Sequence, residues 1–192
     1  MKAFEPYAAR THEMMRDVLH DAGAPGPAIH YYMIRGGKDK RNITVMEPGV
    51  VGREYIKTYG HYHVGALEET YWFVHGEGVV LMQKRVDEQK PEMLEAFRAI
   101  RVKAGDSVRM PAGFAHLMVN IGKTWLVMVD DSPVDGVDDS ASRPGHADYE
   151  PVKQMHGFAY YVVEEGGAPA LIRNTRYIDV GSVDLGGILA LE

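Results

Sequence analysis

His61-Tyr62-His63 sets two imidazoles one residue apart, Glu69 follows with a carboxylate, and His116 supplies a third imidazole much later in the chain. Alternate residues of a strand share a face, so His61 and His63 project together. Three imidazoles and one carboxylate form a mixed nitrogen and oxygen donor set. Such a set suits a divalent transition metal and leaves coordination positions for water or substrate. A His-x-His pair alone also fits a polar sheet face. Here Gly60 precedes the pair, Gly76 follows Glu69, and Pro111-Ala112-Gly113-Phe114-Ala115-His116 with Asn120 forms a second block. Core packing does not require that grouping.

Strands must position these residues. Runs rich in β-branched and aromatic residues are predicted as strands over Ala28–Ile34, Asn42–Met46, Glu69–Val74, Val79–Lys84, Phe97–Val102 and Ser107–Met110. Further strands are expected over Leu117–Asn120, Trp125–Val129, Phe158–Glu164 and Ala168–Asn174, with His75-Gly76-Glu77-Gly78 as a hairpin turn. Many short strands separated by turn residues read as a sandwich or jelly-roll barrel. Before them, about residues 6–21, the spacing of Tyr7, Met14, Met15, Val18 and Leu19 predicts a helix ended by Gly23, Pro25 and Pro27. Asp130 to Tyr149 has loop chemistry, and a loop of that length is usually a lid or a disordered segment. The apolar, glycine-rich tail after Asn174 is expected to pack across the barrel or a partner subunit. Trp72 and Trp125 are expected in the core, and His12, His20, His30, His75 and His156 as structural or surface residues.

At 192 residues the chain can bury a substantial core within a single domain, its centre at about 28–175. A net charge of −6 argues against a general nucleic-acid binder, and Lys38-Asp39-Lys40-Arg41 is too short and balanced to act as one. The absence of cysteine removes disulfides, iron–sulfur clusters, thiolate zinc sites and cysteine nucleophiles. Charges scattered through Met1 to Leu19 leave no signal-peptide core, and no uncharged apolar run reaches the ~18 residues of a membrane span. A cytoplasmic protein without membrane partners is expected.

The two glycine-punctuated blocks resemble the motifs of the cupin superfamily. The resemblance narrows over Thr44, Pro48-Gly49-Val50-Val51-Gly52-Arg53-Glu54, Thr58-Tyr59-Gly60-His61-Tyr62-His63, Glu69-Thr70-Tyr71, Gly76-Glu77-Gly78 and Ala115 to Gly122. Across about residues 40 to 130 the chain is similar to the cupin-type glucose-6-phosphate isomerases. That resemblance implies an all-β double-stranded β-helix, or jelly-roll barrel, with a short N-terminal helix. It implies one divalent metal per subunit, Fe²⁺ foremost with Mn²⁺, Ni²⁺ or Zn²⁺ as alternatives, bound by His61, His63, Glu69 and His116. Glu69 is preferred to Glu68 because the glutamate-x-tyrosine pair and the spacing to Gly76 align there. Glu69 and Tyr71 are implied as catalytic residues, and Thr44, Thr58, Gly60, His146 and Tyr149 as contacts to a sugar phosphate. Tyr59 and Leu117 stand where the family tends to carry lysine and arginine. A homodimer interconverting glucose 6-phosphate and fructose 6-phosphate in glycolysis and gluconeogenesis is the expectation. The alternatives are an isomerase or epimerase of another sugar, a non-catalytic binding module, and oxygen chemistry on the same ligands.

Overall fold

β-branched and aromatic runs punctuated by glycine and proline make this chain predominantly β-structure. The computed structural model describes residues 8–36, 41–133 and 146–191. The first strands are β1 (Ala8–Thr11), β2 (Ile29–Ile34), β3 (Asn42–Met46), β4 (Val50–Val51), β5 (Glu54–Tyr55) and β6 (Tyr62–His63). The barrel continues with β7 (Glu69–His75), β8 (Glu77–Arg85), β9 (Met93–Lys103), β10 (Ser107–Met110), β11 (Phe114–Asn120) and β12 (Leu126–Asp130). After them come β13 (Ala147–Asp148), β14 (Tyr160–Glu165), β15 (Ala168–Arg173), β16 (Asp179–Asp184) and β17 (Leu189–Leu191). Two short helices, α1 (His12–Met15) and α2 (Glu150–Gln154), flank the barrel strands in sequence.

One sheet runs β1-β2-β3-β12-β7-β10, and a second runs β11-β8-β9-β16. The chain passes back and forth between them: β7 in the first, β8 and β9 in the second, β10 back, β11 across, β12 back. This is the winding of a jelly-roll barrel, as the sequence led us to expect. A further sheet, β17-β15-β14-β5-β4, packs outside it, with Phe158 just ahead of β14 lying against Gly60 and Leu117. β11 is therefore covered on both faces and is buried along its whole length. β9 instead mixes buried and exposed residues along its length, with Leu94, Phe97, Ala99 and Val102 buried and Glu95, Arg98, Arg101 and Lys103 exposed.

Two side-chain devices hold the register. Asn120, at the end of β11, donates through Nδ2 to the carbonyls of Met46, Glu47 and Thr124, pinning β11 to the end of β3. Gly76, in the β7–β8 turn, has φ +83°, and a Cβ there would collide with the Trp125 carbonyl oxygen.

The N-terminal segment departs from the helical expectation. Residues 8–11 form β1 and pair with β2, Ala8 opposite Met33 and Arg10 opposite Tyr31. Only His12–Met15 is α-helical, capped by the Thr11 hydroxyl and followed by a 3-10 turn at Arg16–Val18, while residues 6 and 7 lie outside the described ones. Strand pairing that buries Arg10 overrides the local periodicity. The tryptophans also differ: Trp125 is 40% exposed, and Trp72 is half-buried beneath the Arg41 guanidinium, 4.4 Å from its ring. Of the long loop, residues 134–145, and of the charged turn, residues 37–40, lie outside the described residues. The tail lies on the protein's own strands: β16 adds in parallel to β9, and β17 in parallel to β15.

His30 belongs to the core. It is fully buried on β2, with Nε2 3.0 Å from His12 Nδ1 of α1. Burial, reinforced by the charges of His12 and Lys57, pushes its pKa down to about 4 from an ordinary value near 6.5. Between those values the unfolded chain binds the proton and the folded one does not. Stability therefore falls as pH drops from about 6.5 towards 4, by on the order of 3 kcal/mol for this group. Urea unfolding at pH 7, 6 and 5 should show this loss in the wild type and a smaller one in His30→Gln. An identical loss in both proteins would remove His30 as the cause.

Candidate metal centre

Backbone exchange between His61 and His116 builds the centre. The His61 N–H donates to the His116 carbonyl at 3.3 Å, and the His116 N–H returns to the His61 carbonyl at 3.1 Å. Gly60 makes that approach possible. Its φ is +82°, and a Cβ there would stand 2.7 Å from the Phe158 ring and 3.1 Å from Leu117 Cβ. From this bridge His61 and His63 face inwards together, with ring centroids 5.2 Å apart, and the His116 ring lies 4.6 Å from His61. Glu69 opens β7 with its side chain buried, whereas Glu68 points outwards to pair with Arg109. Of the two glutamates, Glu69 is the one brought to the histidines.

The donor atoms of His61, His63, Glu69 and His116 all lie within 4.8 Å of one another. Glu69 Oε1 is 2.7 Å from His116 Nε2 and 3.3 Å from His63 Nε2. Those contacts do not have hydrogen-bond geometry. Among the described residues Glu69 Oε1 and the Nε2 atoms of all three histidines are buried without a hydrogen-bond partner. Uncompensated burial of such polar atoms is costly. Four lone-pair donors aimed at a common point fit a divalent cation. His63 Nδ1 lies 3.1 Å from the Leu67 carbonyl, which fixes the proton on Nδ1 and presents Nε2 as the ligand atom. Burial, reinforced by His116, pushes the His61 pKa well below its ordinary value. Burial opposes ionisation of Glu69, but the neighbouring His116 and His63 outweigh it and hold the carboxyl well below the usual range. A neutral imidazole and an ionised carboxylate are the forms that bind metal.

Above the donors lies a cavity, and the structure brings to it Thr44, Thr58, Gly60, Tyr71, His146 and Tyr149, every other site residue singled out in the sequence. His63 faces a neighbouring groove instead. Tyr71 lies opposite Asp130 on β12, with its ring 5.6 Å from that of His116. Burial, then the Glu69 charge, raises its pKa well above 10, so its hydroxyl is a neutral donor. The Thr58 hydroxyl accepts from the Met118 N–H at 3.0 Å and keeps its own proton for a further bond. Tyr149 places its ring 5.2 Å from His61 and edge-on to Tyr59. His146 is held where β13 pairs with β6, its carbonyl accepting from the Val64 N–H at 2.8 Å.

Sequence reasoning missed Tyr31, Arg35, Asp130 and Ser132, which also line the cavity. Asp130 Oδ1 accepts from Asn42 Nδ2 at 2.8 Å and from Ser132, and burial followed by the Glu69 charge raises its pKa. The period-two run Tyr31, Met33, Arg35 carried a usable signal, since Tyr31 and Met33 pair across to Met46 and Thr44.

A glucose-6-phosphate isomerase family model matches residues 32–179. Glucose-6-phosphate isomerases of Thermococcus gammatolerans and Pyrococcus furiosus are 33% and 31% identical over 135 residues, which is 70% of this chain and 62% of each relative. The chain thus spans rather less than two thirds of the length of the curated relatives it matches. Among solved structures, an oxalate oxidase in complex with glycolate aligns over 47% of this chain and 39% of its own, at 24% identity and a TM-score of 0.37. An oxalate decarboxylase of Bacillus subtilis aligns over 52% of this chain and 24% of its own, at 20% identity and a TM-score of 0.38. Scores at that level leave the fold to be read from this chain's own strands.

Equilibrium dialysis with Mn²⁺ or Fe²⁺, followed by elemental analysis, should find about one ion per chain. His116→Ala and Glu69→Gln should each lower the affinity by more than about 100-fold, the upper end of losses seen for outer-shell partners. Undiminished metal content in both variants would place the ion elsewhere.

Proposed function

The chain belongs to the glucose-6-phosphate isomerase family, and we propose that it is a metal-dependent isomerase interconverting glucose 6-phosphate and fructose 6-phosphate. One observation carries the reading: four donor atoms buried without a hydrogen-bond partner lie within 4.8 Å of one another, and His61, Glu69 and His116 among them line a cavity that also holds a neutral phenol and two threonine side chains. A divalent ion held by His61, His63, Glu69 and His116 would supply a Lewis acid for the sugar oxygens at the reacting carbons.

The side chains divide the remaining work. Aldose–ketose interconversion moves a hydrogen between adjacent carbons while their oxygens exchange carbonyl character. Glu69 directs Oε1 towards the histidines, leaving Oε2 as the atom that carries a proton from one carbon to the next. The Tyr71 hydroxyl, held neutral, donates to the sugar oxygen on which negative charge grows. The Thr44 and Thr58 hydroxyls and the Gly60 N–H serve the phosphoryl group, and His146 and Tyr149 close on the sugar from the side of β13. Iron as the resident ion, a homodimer, and a cytoplasmic role in glycolysis and gluconeogenesis complete the reading, each supported by the family resemblance.

A coupled assay in both directions, on metal-stripped and on Fe²⁺- or Mn²⁺-loaded protein, tests it. Turnover should depend on the metal and vanish in His61→Ala. No turnover in either direction with metal bound would end the proposal. Tyr71→Phe should keep its metal and lose about 100-fold in kcat, the scale of one donor to developing charge. Turnover in deuterated water separates the two chemical routes: label at C1 of fructose 6-phosphate, or at C2 of glucose 6-phosphate formed in the reverse direction, requires the Glu69 proton transfer, and its absence points to a hydride shift.

A further inference from the structure

Arg35 directly follows β2, and strand alternation places it on the face that carries Tyr31 and Met33. All three line the cavity. Since Ile34 pairs with Ile43, Arg35 comes level with Asn42, and across Asn42 lie Asp130 and then Tyr71. The guanidinium thus stands on the wall opposite the His116 strand, with the Thr44 hydroxyl on the neighbouring strand.

Its bonding is incomplete. Among the described residues Arg35 Nε is buried without a hydrogen-bond partner, and Arg35 makes no ion pair within 4.0 Å. The nearby carboxylate does not take it up. Asp130 Oδ1 is committed to Asn42 Nδ2 and to the Ser132 N–H and hydroxyl. The Arg35 charge still reaches the site, where it opposes the rise in pKa of Tyr71, Asp130 and Tyr149. A planar guanidinium with free donors over a cavity matches a tetrahedral oxyanion, which it can grip through two parallel N–H···O bonds.

We propose that Arg35 is the residue that selects an anionic substrate, donating to its phosphoryl oxygens beside the Thr44 hydroxyl. The assignment rests on reading the cavity as a sugar-phosphate site, but it can be tested apart from catalysis.

The experiment uses metal-loaded wild type, Arg35→Ala and Arg35→Lys, with metal content and thermal midpoint measured for each. Calorimetric titration with inorganic phosphate should show affinity falling by about 30-fold in Arg35→Ala and partly restored in Arg35→Lys, the scale of one charge-assisted contact. With glucose 6-phosphate, KM should rise by a similar factor while kcat falls far less. Should Arg35→Ala melt early, Arg35→Gln, which keeps the side-chain length, takes its place. Unchanged phosphate affinity and KM in a folded, metal-replete variant overturn the proposal while leaving the isomerase reading intact. Phosphate binding that depends on Arg35, in a wild type that turns over no glucose 6-phosphate, supports the anion subsite and overturns the isomerase reading alone.

Discussion

The paired backbone hydrogen bonds between His61 and His116 are the contact on which the site depends. They belong to an irregular ladder. The Asn120 N–H reaches the Ile56 carbonyl and the Thr58 N–H reaches the Met118 carbonyl, both at 2.8 Å, before the chain turns through Gly60. The two strands share no long regular register, so each rung is fixed by a local device: the Thr58 hydroxyl at Met118, the bare Gly60 at Phe158, the Asn120 amide at the end of β3. Losing any of them would let β6 drift from β11. The imidazoles would then separate before the hydrophobic core registered the change.

Electrostatics follows from that placement. His61, drawn into a dry wall, loses the water that would favour its protonation, whereas His63 beside the Glu69 carboxylate is pushed the other way, and that carboxylate remains ionised because the imidazoles surround it. Tyr71, next along the same face, meets both the low polarity and the Glu69 charge, so it keeps its proton. Burial together with the Glu69 charge therefore sets the states of His61, Glu69 and Tyr71 without a separate device for each.

Much of this was legible because the chemistry sits in compact motifs. The ligands occupy two short blocks whose glycines mark the backbone turns, and β3 and β10 were foreseen to the residue. What escaped depends on pairing between segments remote in sequence. Residues 8–11 look helical alone and become a strand only because β2 offers an open edge. Arg35 and Asp130 look like ordinary charged residues at strand ends until β2, β3 and β12 align them in one row. The tryptophans misled for a related reason: aromatic strand residues suit either face, and here Arg41 and solvent take the place of core partners.

The parallel addition of β16 to β9 bears on how the chain avoids sticking to itself. β9 is the longest strand, at 11 residues, and β8 satisfies only one of its edges. Left open, the other edge would be a template for intermolecular pairing. β16 covers it and becomes the rim itself, bearing Asp179 and Asp184 at its ends and Gly181 packed close against the backbone of Leu94 and Glu95. Carboxylates at both ends of a short outer strand discourage further strand addition, so a segment far from the chemistry serves as a guard against aggregation.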